Sequence, residues 1–164
     1  MIVDKNKFIK IVKGNQAIIN KICFGYTRNV EDRHDLKQEI LIQLWKAYPK
    51  FNHESQLSTW IYRIALNTAI SNFRKSKRKI QESELSQSNH QMPEVNDNTE
   101  LDENIVQLYQ LIYQLNDLEK AIMLLYLDDK PYKVIADIIG ISETNVATKI
   151  NRIKSKLKNQ FSKN

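Results

Sequence analysis

Apolar residues recur at helical spacing along most of the chain. Phe8, Ile11, Val12, Ile19 and Ile22 predict one helix near the start. Leu36, Ile40, Leu44 and Tyr48 predict a second, stopped by Pro49, whose ring and missing N–H cannot continue a helix. The loop "PKFNHESQLS" then leads into a long helix running from about Thr59 through the late seventies. Leu57, Trp60, Ile61, Ile64 and Ala65 make one apolar side of it, and Leu66, Ala69, Ile70 and Phe73 make another. A helix apolar on two sides is packed between neighbours, so this first segment is expected to be a compact helical bundle. No segment alternates apolar and polar residues with a sustained period of two, so no strands are expected.

Helical spacing resumes with Leu101, Ile105, Leu108, Ile112 and Leu115. "LEKAIMLLYL" reads as a buried helix, and "PYKVIADIIG" as a short one opened by Pro131 and ended by Gly140. Directly after it comes "GISETNVATKINRIKSKLKNQF", with Ser142 as N-cap and a stripe of Val146, Ile150, Ile153 and Leu157 spaced 4, 3 and 4. Two helices joined by the tight turn "GIS", the second one basic, predict a helix-turn-helix. Between the two halves, "QESELSQSNHQMPEVNDNTELDE" is polar and nearly free of large apolar side chains. It cannot bury enough surface to offset the entropy of ordering it. The predicted architecture is therefore all-α: two small helical domains, residues 1–79 and 101–164, joined by a flexible acidic linker over 80–100.

Charge sharpens that division. The chain has 25 Lys and Arg against 19 Asp and Glu, a formal net charge of +6. Residues 1–79 carry a net +10, residues 80–104 carry seven acids and no Lys or Arg, and residues 105–164 carry a net +3. Two basic segments flank an acidic one, which points to an anionic partner. Cys23 is the only cysteine, so no intrachain disulfide can form and a reducing compartment fits. "MIVDKNKFIK" lacks the apolar centre of a signal peptide, and no run approaches the ~20 apolar residues of a membrane span. A cytoplasmic protein without membrane insertion is expected.

The residues that could carry chemistry are few. There is no glycine-rich phosphate loop, no metal-ligand cluster, and no nucleophile with a base nearby in sequence; His34, His53 and His90 are scattered. No enzyme activity, metal or cofactor is expected, and the informative constellations are binding surfaces. On the second helix Asp35, Gln38, Glu39 and Ile42 share a sector away from Leu36, Ile40 and Leu44. An isoleucine among acids and an amide, on a basic segment, reads as a protein-contact patch; an ordinary solvated face is the alternative. On the long helix Trp60, Arg63, Asn67, Ser71, Arg74 and Arg78 fall on one track that ends in "FRKSKRK". An aromatic with cations along one track suits single-stranded or distorted nucleic acid, where bases stack and phosphates need charge. The alternatives are a Trp60 that is simply core and a basic helix end favoured by the helix dipole. On the last helix, Thr144, Thr148, Asn151 and Ser155 lie opposite the stripe, flanked by Arg152, Lys156 and Lys158, with Lys149 counted in the same DNA-contacting set. Its one acid, Glu143, is confined to the first turn. Short hydrogen-bonding side chains edged by cations suit a helix lying in a DNA groove.

Three ordered motifs, "DLKQEILIQLWKAYPKF", "STWIYRIALNTAISNFRK" and "YKVIADIIGISETNVATKINRIKSKL", resemble the bacterial extracytoplasmic-function sigma factors over nearly the whole chain outside the linker. The resemblance implies two helical domains, region two and region four, on a flexible tether. It implies binding to core RNA polymerase, recognition of a −35 element by region four, and melting of the −10 element by region two. An anti-sigma factor is implied as a further partner. Residue by residue, Asp35, Gln38 and Glu39 match the motif that docks on the polymerase clamp. Asn67 and the loop from Phe51 to Thr59 match the part that captures a flipped −10 base. Thr148, Asn151 and Arg152 occupy positions that read the −35 element, while Ala147 stands where a basic residue is common. Two rival readings differ in what they need. A helix-turn-helix regulator of an operator has no use for the Asp35, Gln38 and Glu39 patch. An interaction protein that mimics a sigma factor needs no DNA-reading surface.

Overall fold

A computed structural model describes residues 4–83 and 102–163. The chain divides into two compact units, Met1–Thr99 and Glu100–Asn164. Each contains only helices and turns among the described residues.

In the first unit the helices are α1 (Lys5–Gly14), α2 (Gln16–Tyr26), α3 (Val30–Ala47) and α4 (Leu57–Ser83). The single first helix expected from the apolar spacing is instead two, broken at Asn15. Gly14 is a weak helix former, and the Asn15 side chain donates to the Ile11 carbonyl at 2.9 Å, competing with the backbone ladder. The break re-aims the chain so that Ile18, Ile19, Ile22, Cys23 and Tyr26 of α2 reach the core. They meet Leu36, Ile40 and Leu44 of α3 and the buried side of α4, which packs against both helices.

Helix α3 starts six residues before the apolar stripe begins, because Asn29 caps it: Asn29 Oδ1 accepts from the Asp32 N–H at 2.7 Å. Glu31 and Asp32 in the first turn complement the helix dipole. Pro49 stops the α-helix as expected, through a short 3₁₀ turn over Tyr48–Lys50. Helix α4 begins at Leu57, two residues early, and continues through Ser83. Residues 80–83, assigned above to the linker, are therefore the last turn of a helix sustained by the good helix formers of "RKSKRKIQES". The rest of the expected linker lies outside the described residues.

In the second unit α5 (Glu103–Tyr113), α6 (Asp117–Leu127), α7 (Tyr132–Ile139) and α8 (Glu143–Phe161) follow in order. Leu111, Ile112 and Leu115 are buried, but Ile105, counted in the same stripe, is 41% exposed in the first turn of α5. Helix α6 opens with a capping box in which Asn116 Oδ1 accepts from the Glu119 N–H and Glu119 accepts in return from the Asn116 N–H. Lys120 through Leu125 are all buried, the Lys120 ammonium lying 4.0 Å from the centre of the Tyr113 ring. Gly140 ends α7 at φ 82°, where a side chain would be strained, and its N–H and that of Ile141 both donate to the Ala136 carbonyl. That turn places Ser142 to cap α8 by accepting from the Asn145 N–H at 3.1 Å. Val146, Ile150, Ile153 and Leu157 are then all buried against α6 and α7.

Candidate nucleic-acid and protein interfaces

The first candidate surface is the outward side of α3. With Leu36, Ile40 and Leu44 committed to the core, roughly 100° per residue turns Asp35, Gln38, Glu39 and Ile42 away from it. Asp35 and Gln38 are exposed, Glu39 is half-buried, and Ile42 is 45% exposed. Glu39 Oε1 accepts from Gln43 Nε2 at 2.7 Å, which fixes that carboxylate along the helix. Among the described residues, the Asp35 and Gln38 side chains meet no hydrogen-bonding or ionic partner. One further residue belongs here. Trp45, three positions after Ile42, is 39% exposed and rests edge-on against Phe8 at 5.0 Å. Its spacing from Ile42 was the available signal, hidden because a tryptophan reads by default as core.

The second surface is the exposed side of α4. Arg63, Asn67, Ser71, Arg74 and Arg78 are all exposed, whereas Ile61, Ala65, Leu66, Ala69 and Phe73 fill the opposite side. Trp60 is neither core nor free. It is half-buried, with its ring 4.8 Å from Phe51 at an interplanar angle of 37° and 6.4 Å from Tyr48. Phe51 in turn lies 4.4 Å from His53, which holds a left-handed φ of 61° at the exposed bend of the loop. The loop after α3 thus folds an aromatic platform onto the start of the cationic track. An apolar π-surface at the head of a track of arginines offers stacking for an unpaired base and charge for phosphates further along the strand.

The third surface is α8. Thr144, Thr148, Asn151, Arg152, Ser155 and Lys158 are exposed on the side away from the buried stripe. Thr148 Oγ1 donates to the Thr144 carbonyl at 3.0 Å, so its hydroxyl presents acceptor lone pairs outward. The side chains of Arg152 and Lys158 form no hydrogen bond or ion pair with any described residue. Two expected members behave differently. Lys149 is half-buried, turned roughly 100° from Thr148 toward the stripe, so it flanks the face and does not belong to its centre. Lys156 is exposed but pairs with Glu119 of α6, Nζ to Oε2 at 3.4 Å. Lys154 is held similarly, donating to Tyr126 Oη at 3.3 Å. Neither contact could be read from periodicity, since the partners are 37 and 28 residues apart.

Among the described residues no group of three or more His, Cys, Asp or Glu side chains converges as a metal site would. No described helix is long and apolar enough to cross a membrane.

Known proteins match the two units in order. The family model described as Sigma-70 region 2 covers residues 11–79, and that described as Sigma-70, region 4 covers residues 105–157. The ECF RNA polymerase sigma factor SigW of Bacillus subtilis is 28% identical over 171 residues, spanning 96% of this chain and 90% of that protein. The ECF RNA polymerase sigma-E factor of Escherichia coli K12 is 28% identical, spanning 92% and 90%. A shorter match, 40% identical over 57 residues, joins 35% of this chain to only 15% of the ECF sigma factor SigG of Mycobacterium tuberculosis. Among solved structures, the sigma factor RpoE of Bartonella quintana in complex with the anti-sigma factor NepR superposes with a TM-score of 0.73 at 18% identity, covering 96% of both chains. CnrH in complex with the cytosolic domain of CnrY gives 0.70 at 14%, covering 99% of this chain and 92% of that one. Those two likenesses establish the fold, and the paired region 2 and region 4 matches establish the lineage: the chain belongs to the sigma-70 family, as an extracytoplasmic-function RNA polymerase sigma factor.

Proposed function

We propose that this sigma factor is a cytoplasmic promoter-specificity subunit without catalytic activity or cofactor, whose three surfaces divide the work. The α3 face of Asp35, Gln38, Glu39 and Ile42, extended by Trp45, docks on core RNA polymerase. The α4 track of Trp60, Arg63, Asn67, Arg74 and Arg78, with the Phe51 platform, holds the melted −10 strand. The α8 face of Thr144, Thr148, Asn151 and Arg152 reads the −35 duplex, with Lys149, Lys156 and Lys158 set toward phosphates. Residues 1–79 and 101–164 act as the two binding domains, and an anti-sigma factor is the natural antagonist of a chain that exposes such surfaces.

The observation that carries this reading is on α3. An exposed isoleucine and tryptophan sit beside an exposed carboxylate that has no cationic partner, on a segment of net charge +10. A basic unit with cations to spare for surface pairing leaves this carboxylate open, and large apolar side chains are left on the same face. Aromatic and aliphatic anchors with a charged rim are what a protein interface requires, and the carboxylate in that rim is what DNA phosphates would repel. An operator-binding regulator has no use for it.

The test is a pull-down on purified core polymerase with the doubly substituted Asp35→Arg, Glu39→Arg chain. Core association is expected to be lost while helicity and thermal unfolding stay close to those of the unmodified chain. Undiminished association would remove the α3 face from the polymerase contact.

A further inference from the structure

Glu119 serves two structures at once. Its Oε2 atom accepts from the Asn116 N–H at 3.3 Å, closing the capping box of α6, and lies 3.4 Å from Lys156 Nζ on α8. On the other flank of the buried stripe, Lys154 donates to Tyr126 Oη at 3.3 Å and its ammonium lies 5.3 Å from the Tyr126 ring centre. Two residues apart, Lys154 and Lys156 leave α8 roughly 200° from one another. Both are drawn back onto α6, whereas Arg152 and Lys158 are not.

The geometry points to Glu119 as a further determinant of DNA affinity: a positioning residue that holds the Lys156 cation against α6, in competition with DNA phosphate. This rests on reading α8 as the DNA-contacting helix. The sequence-independent part of DNA binding comes from counterions released when cations neutralise phosphates, and each such cation adds about 0.9 to the slope of log K against log salt. A lysine already paired with a carboxylate contributes only the share of time it spends released. With Lys156 53% exposed and Glu119 22% exposed, the pair is weak and opens readily, so it tempers binding without preventing it. Glu119 thereby lowers the affinity for any sequence and leaves the base-reading side chains Thr148, Asn151 and Arg152 untouched.

Glu119→Gln isolates the charge, because a glutamine oxygen at the same position still closes the capping box. The full-length chain is titrated with a labelled random-sequence duplex at several salt concentrations, alone and in a Lys156→Gln background. Glu119→Gln should tighten binding about 2- to 5-fold at low salt and steepen the salt slope by a fraction of one counterion. In the Lys156→Gln background it should change neither. An unchanged slope in Glu119→Gln, or an equal gain in both backgrounds, overturns the role, the latter showing a general loss of repulsion instead. A chain that binds no duplex at any salt overturns both this role and the assignment of α8. One that binds normally but ignores Glu119→Gln overturns this role alone.

Discussion

Replacing a glycine by alanine should have opposite effects at Gly140 and Gly14, for reasons visible in the backbone. Gly140 sits at φ 82°, and a Cβ there would meet nothing within 4 Å. The whole penalty of Gly140→Ala is therefore conformational, about 1–2 kcal/mol for an L-residue in the left-handed region. Alanine also narrows the unfolded ensemble, which returns about 0.4–1 kcal/mol. The second unit should lose on the order of 0.5–1.5 kcal/mol. Gly14, the last residue of α1, has no positive φ and equally open space around its Cβ position. Gly14→Ala should stabilise the first unit by up to about 1 kcal/mol, through helix propensity and the same unfolded-state effect. Hydrogen exchange read by mass spectrometry separates the units: amides of α7 and α8 should exchange about 2- to 10-fold faster in Gly140→Ala. Those of α1 and α2 should exchange more slowly in Gly14→Ala. Equal or greater protection of α8 in Gly140→Ala would refute the claim that the left-handed backbone at Gly140 is strained for a residue with a side chain.

Base reading and phosphate contact should separate along α8. Arg152→Ala should cost about 1–3 kcal/mol on the preferred −35 duplex and much less on a scrambled one, whereas Lys158→Ala should weaken both alike and lower the salt slope by about one counterion; fluorescence titrations at several salt concentrations measure both. Removing the aromatic platform with Phe51→Ala should weaken capture of a single-stranded −10 oligonucleotide by the polymerase complex by about 1–3 kcal/mol, measured by anisotropy, and leave −35 duplex binding unchanged. Burial pushes the Cys23 thiol up to about 11 from its ordinary 9.0, against the smaller opposing pull of Lys37 and Arg33. Because the folded value is the higher one, its contribution is intact below about pH 9 and is lost as pH rises from 9 toward 11, on the order of 2–3 kcal/mol. Denaturant titrations across that range should show the decline, and Cys23→Ser should flatten it.

What the sequence made legible is mostly local. The α8 stripe, the Ser142 cap, and the bounds of α7 at Pro131 and Gly140 follow from side-chain period and backbone chemistry within a few residues. The exposed cationic track on α4 followed for the same reason, since core positions at Ile61, Ala65, Leu66, Ala69 and Phe73 leave only the other side free. What escaped was set by contacts between elements or by competition within them. The break at Asn15 turns on one side chain capturing the Ile11 carbonyl, which an apolar pattern running through it conceals. Trp60 has an ambiguous period because Phe51 and Tyr48 fold over it from a loop. The retraction of Lys156 depends on Glu119 in another helix, and charge spacing along α8 alone cannot show it.

The central claim, that these surfaces together direct polymerase to promoters, is tested most directly by run-off transcription with purified bacterial core RNA polymerase on genomic DNA fragments. Core alone should yield no discrete products, and core with this chain should yield discrete transcripts from a small subset of fragments. Those products should vanish with Asp35→Arg, Glu39→Arg and weaken with Arg152→Ala. A chain that binds some of these fragments tightly yet adds no transcript to core enzyme would contradict the claim and leave an operator-binding protein in its place.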